Sequence, residues 1–93
     1  MDIKKYFEEV KRTLPDLGYR QKNNLHMTMG IATEAGELLD VFKKELAYNK
    51  KVDWVNVGEE VGDLMWYIAN FCNINGLDFE DILEKNINKL KAR

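Results

Sequence analysis

Apolar residues recur along this chain every three or four positions, the spacing of amphipathic helices and not of strands. Ile3, Tyr6, Phe7, Val10 and Leu14 predict a first helix over about residues 2–14, which Asp2 can cap and Pro15 can end. Residues Pro15 to Asn24 show no alternation and read as a polar connector. Leu25, Met29, Ala32, Leu39, Phe42 and Leu46 form one apolar stripe of a second helix, about 25–47. Beyond a polar turn, Asp53 is a fair cap for a third helix, 54–75, carrying Val57, Val61, Leu64, Met65, Ile68 and Phe71. Gly76 then stands where a left-handed residue ends a helix. Asp78 caps a fourth, 79–91, with Phe79, Ile82, Leu83, Ile87 and Leu90 as its buried positions. Short connections make successive helices antiparallel neighbours. The expected fold is therefore all-α, an antiparallel four-helix bundle making one domain of residues 1–93.

Composition narrows the partners. The 93 residues hold 45% hydrophobic positions, one proline and six glycines, enough apolar material for a single small helical core. A net charge of −2 leaves no electrostatic footprint for nucleic acid. Cys72 is the single cysteine, so no intrachain disulfide is possible and a reducing compartment is expected. No apolar run approaches the roughly 18 residues of a membrane span, and the charged N-terminus does not read as a signal peptide. The expectation is a soluble cytoplasmic protein with no nucleic-acid or membrane partner.

The chemistry lies in a near-duplicated phrase, Glu34-Ala35-Gly36-Glu37-Leu38-Leu39 and Glu60-Val61-Gly62-Asp63-Leu64-Met65. Acids three apart on a helix share a face and repel. In an antiparallel hairpin turning at Tyr48–Asn49, Glu34 falls level with Asp63 and Glu37 with Glu60. All four then occupy a band about 4.5 Å deep, at 1.5 Å per residue. One such pair usually means only a solvated helix face. Matching neighbours, matching levels and a glycine inside each copy argue for more. Each mid-helix glycine costs roughly 1 kcal/mol against alanine, which close approach of the two helices would explain. Close approach would compress four negative charges, a strain that protonation or a bound cation relieves. All-oxygen ligands favour a hard ion, Mg²⁺ first and Mn²⁺ as substitute. On the last helix Asn86, Lys89 and Arg93 share a polar edge, and the second hairpin would bring it beside the acids. Cations and an amide next to a metal site suit a polyanion.

The phrases EAGEL and EEVGDLMWYI resemble the MazG-like nucleotide pyrophosphohydrolases of the all-α NTP pyrophosphatase superfamily. Their ExxE, spacer, ExxD signature is matched by Glu34, Glu37, Glu60 and Asp63, and Met29-Gly30-Ile31 and the tail Asn86 to Arg93 also look like the family. The resemblance covers roughly Asn24 to Arg93. It implies Mg²⁺-dependent hydrolysis of a nucleoside triphosphate between the α and β phosphates, giving monophosphate and pyrophosphate. It also implies a homodimer or homotetramer, with the site completed at a subunit interface. The four acids would hold metal, with Glu34 and also Glu37 as the candidates for activating the attacking water. Asn86, Lys89 and Arg93 would contact phosphates. Tyr67, one turn beyond Asp63, could stack on the base, although packing is the commoner role of such a residue. Phosphoribosyl-ATP pyrophosphohydrolysis is an alternative within the enzyme class. A non-catalytic helical interaction module is the alternative outside it.

Other residues carry a blander expectation. His26 lies away from the acids, Trp66 reads as packing, and Cys72 as an inert core thiol. Glu59 points about 100° away from Glu60. Arg20, Lys22, Lys50 and Lys51 read as surface charge.

Overall fold

The computed structural model describes all 93 residues and is entirely helical. Helix α1 spans Ile3–Val10, where the Asp2 carboxylate accepts the Lys5 N–H at 2.8 Å, and a 3-10 turn follows over Lys11–Thr13. Leu14 is extended, as a residue before proline prefers. Helix α2 spans Arg20–Tyr48, α3 Trp54–Asn75 and α4 Phe79–Lys91. The α2–α3 turn is made by Asn49 in the left-handed region, φ 53°, followed by Asp53, which accepts the Asn56 N–H at 3.1 Å. Gly76, φ 63°, ends α3 in the same region, where a side chain would be strained.

The long hairpin of α2 and α3 is the body of the molecule. It is longer than the sequence suggests, because α2 begins at Arg20 and not near Leu25. Asn23 supplies the reason. Its Oδ1 accepts the Leu17 N–H at 2.8 Å and its Nδ2 donates to Asp16 at 3.2 Å, folding the connector back onto the first helical turn. At the far end Asn24 and Asn75 exchange side-chain hydrogen bonds of 3.1 and 2.7 Å, so the helices stay paired to their ends.

Helix α1 lies against α3, where Phe7 and Val10 join Ala69 and Cys72 in the core. Two asparagines fix it there. Asn70 donates to the Val10 carbonyl at 3.1 Å and Asn73 to the Phe7 carbonyl at 2.9 Å, satisfying acceptors that the end of a short helix leaves free. Asn70 is fully buried, so losing its bonds would strand a polar group out of water.

The four expected helices form, but they do not close into a bundle within one chain. Phe79 stacks on Phe7 at 5.0 Å between ring centroids, and from Glu80 onward every residue of α4 is exposed. The physical reason is that α1 already covers α3, leaving the stripe of Ile82, Leu83, Ile87 and Leu90 without a surface in its own chain. The predicted stripe of α2 is likewise outside, with Leu25, Met29, Leu39 and Leu46 all exposed. Only eight of 93 residues are buried. The radius of gyration is 15.7 Å, against about 12 Å for a compact domain of this length.

The glycines also depart from expectation. Space beside Gly36 and Gly62 is open, so neither marks close approach of α2 to α3 in this chain. Gly30 does: a Cβ there would collide with the ring of Tyr67. Gly30→Ala is expected to lower stability by about 1–3 kcal/mol through overpacking. Gly36→Ala is expected to raise it by about 1 kcal/mol through helix propensity. Urea unfolding of the two variants checks the opposite signs.

Candidate metal centre

Pairing of α2 with α3 brings oxygen atoms of Glu34, Glu60 and Asp63 within 4.8 Å of one another. Glu34 and Glu60 are half-buried and Asp63 is exposed. One oxygen of Glu60, Oε2, is shut off from water and has no hydrogen-bond donor. A shielded carboxylate oxygen in a group with two other carboxylates calls for a proton or a cation. Glu60 is accordingly pushed above the ordinary glutamate range. The main cause is the hydrogen bond that a proton shared with Glu34 would make, followed by loss of hydration and the charges of Glu34, Glu37 and Asp63. The residues present thus fit a hard divalent cation, with the unsatisfied Glu60 oxygen as the structural sign.

Glu37 stands apart from the other three acids. It is exposed and lines a different cleft, toward the α2–α3 turn, although its charge still acts on Glu60 and Lys44. Level pairing sets how far along the hairpin each acid lies, whereas Glu34 and Glu37 stand about 60° apart around α2 and so open on different clefts.

Glu34 and Asp63 also border a second cleft, of about 420 Å³, with Thr13, Trp66 and Tyr67. Tyr67 therefore stands beside the acids, its ring seated on Gly30 and its edges against Trp66 and His26, at 4.9 and 6.0 Å between centroids. Trp66 is more than packing. Its indole N–H donates to the Thr13 hydroxyl at 2.9 Å, tying the turn after α1 to the cleft wall. Tyr6 belongs to this neighbourhood too, its hydroxyl pKa raised by burial and then by the charge of Asp63. Nothing in the spacing of Thr13 or Tyr6 announces them, because α1 reaches α3 through a long-range contact. His26 has a buried Nδ1 with no partner and leans on Tyr67, a closer approach to the cleft than its place in the sequence suggests. Burial raises the pKa of Cys72, consistent with an inert thiol.

Asn86, Lys89 and Arg93 are not brought to the acids within this chain. All three lie exposed on α4, which packs along neither α2 nor α3, and none pairs with a carboxylate. The cause is that of the open bundle: α1 holds the place beside α3 that α4 was expected to take.

Fold and site together define an all-helical protein whose central hairpin presents a carboxylate cluster of the divalent-cation type beside an aromatic cleft. Residues 22–93 match the MazG nucleotide pyrophosphohydrolase domain, and the chain belongs to that family. It is 33% identical over 72 residues to the Gene 37 protein of Mycobacterium phage L5. That match covers 73% of this chain and 63% of the phage protein, so the chain spans less than two thirds of that relative. No solved structure matches it significantly. No helix is long and apolar enough to cross a membrane.

The sign of the Glu60 shift gives a test. A carboxyl group whose pKa is raised by folding favours the fold below its ordinary value, near 4.5, and that contribution is lost as pH climbs through the raised value. Ionised Glu60 thus opposes folding at neutral pH unless a cation is bound. Glu60→Gln is expected to raise the Tm of metal-free protein at pH 7.5 and to abolish the rise that Mg²⁺ gives the wild type. Differential scanning calorimetry with EDTA or Mg²⁺ reads both. A lower Tm with the Mg²⁺ response intact would place Glu60 outside the cation site.

Proposed function

We propose that this protein is a Mg²⁺-dependent nucleoside triphosphate pyrophosphohydrolase, with Mn²⁺ as a possible substitute. The observation carrying the reading is the unsatisfied Glu60 oxygen enclosed by Glu34 and Asp63, beside a cleft walled by Trp66 and Tyr67. Family membership supports the same reading.

Glu34, Glu60 and Asp63 would hold the ion, with Glu37 contributing from the next turn of α2. When bound, the ion supplies charge neutralisation and Lewis-acid polarisation of phosphate oxygens. The chain's own side chains do the rest. Tyr67, with Trp66, receives the base, an arrangement that also excludes water from one side of the substrate. Glu34 orients a water and accepts its proton as its oxygen bonds to the α-phosphorus, with Glu37 as the alternative base. The bond from that phosphorus to the bridging oxygen breaks, and its electron pair leaves with pyrophosphate. Monophosphate is the other product.

Homo-oligomerisation belongs to the same proposal. The exposed stripes of α2 and α4 are apolar areas that one chain does not cover, and such areas mark association surfaces. Across such an interface the α4 of a second copy would present Asn86, Lys89 and Arg93 to the phosphates. Sedimentation velocity should show a dimer or tetramer, and a stable monomer at micromolar concentration would contradict this arrangement.

Catalysis is tested by product analysis with a panel of dUTP, dCTP, the common ribonucleotides, oxidised nucleotides and phosphoribosyl-ATP in the presence of Mg²⁺. Monophosphate and pyrophosphate are expected, and orthophosphate as the sole product would reject the proposed bond. Asp63→Asn should lower kcat by about 100-fold or more without altering the circular dichroism spectrum.

A further inference from the structure

Lys50 and Lys51, which read in the sequence as surface charge, stand in one cleft of about 280 Å³ with Glu37, Asp40, Lys44 and Asp53. Three of the six charged side chains in this cleft already have a partner. Lys44 lies 3.0 Å from Asp40, and Asp53 accepts the Asn56 N–H as the cap of α3. Lys50 and Lys51 have no ion-pair partner. Their position is built by the backbone: left-handed Asn49 reverses the chain, and the Lys50 N–H donates to the Lys44 carbonyl at 3.3 Å. Two ammonium groups outside any ion pair thus line a cleft anchored at its rim, which they share with the carboxylates of Glu37 and Asp53, also outside any ion pair.

The cleft continues the site already described. Glu37 is its inner wall, about 4.5 Å along α2 from Glu34, and its charge is felt at Glu60. The aromatic cleft meets the same acids through Glu34 and Asp63, on the side farther from the α2–α3 turn. Along the hairpin the order is aromatic rings, carboxylates, lysines. A nucleoside triphosphate has the same order: a flat base, a reacting α-phosphorus, and a tail that carries most of the negative charge.

We propose that the cleft of Lys44, Lys50 and Lys51 binds the β and γ phosphates, so that the substrate lies along the hairpin with its base toward Trp66 and Tyr67. The inference rests on the pyrophosphohydrolase reading and deepens it by setting the direction of the substrate. Lysine suits a tail that must leave, because it is a mobile point charge and not a fixed bidentate fork. The pyrophosphate released by cleavage of the bond between the α-phosphorus and the bridging oxygen would depart on the turn side, past two exposed side chains.

Calorimetric titration of the full chain with pyrophosphate and with a nucleoside monophosphate, each in Mg²⁺, tests this. In Lys50→Ala/Lys51→Ala, pyrophosphate binding should weaken about tenfold, the scale of two exposed charge pairs, and monophosphate binding should change less than about twofold. KM for the triphosphate should rise with kcat nearly unchanged. Both residues are exposed and make no side-chain hydrogen bond, so the variant keeps the fold. Unchanged pyrophosphate affinity, equal weakening of both ligands, or no pyrophosphate binding by the wild type would overturn the proposal. Failure of the underlying reading appears elsewhere, as orthophosphate in the wild-type product assay.

Discussion

Like charges held at one level of a rigid hairpin are the constraint on which this molecule turns. Packing of α2 against α3 fixes Glu34, Glu60 and Asp63 near one another, and their repulsion is written into the raised pKa of Glu60 and its unsatisfied oxygen. The hairpin can tolerate this because its stability comes from elsewhere: paired asparagines near its open end, capping aspartates, and a core of Phe7, Val10, Ala69 and Cys72 on the far face of α3. With its carboxylates ionised the centre opposes folding, and a proton or a cation would relieve that cost. Structure and chemistry are thereby coupled.

The protomer around this centre is open. Helix α1 takes the face of α3 that a closed bundle would give to α4, so α4 leaves the body after Phe79. Apolar stripes on α2 and α4 then remain in water, an arrangement that a 93-residue chain with few buried positions does not favour alone. Open shape and exposed stripes belong together, since a chain that finished its own bundle would have no such surfaces to share.

Local signals read well from the sequence. The bounds of α3 and α4 follow from Asp53, Gly76 and Asp78, whose capping chemistry is decided within a few residues. The level pairing of the acids follows from hairpin geometry, which depends only on where the turn falls. Three features were not legible, each for a tertiary reason. The setting of α2 about its axis opens Glu34 and Glu37 on different clefts and turns Leu25, Met29 and Leu39 outward. The docking of α1 depends on Asn70 and Asn73 reaching carbonyls some 60 positions away in sequence. The fate of α4 depends on that docking in turn. Gly36 and Gly62 misled because a glycine inside a helix reports a local cost without naming its compensation, whereas Gly30 does face a partner, Tyr67.

Thr13 lies before residue 22, where the family match begins, yet it helps to wall the aromatic cleft through its bond to Trp66. The segment that shapes one side of the cleft is also docked, through Phe7 and Val10, on the core of the helix that bears Glu60 and Asp63. A change in the leading segment would therefore reach the cleft wall and the acid-bearing helix together.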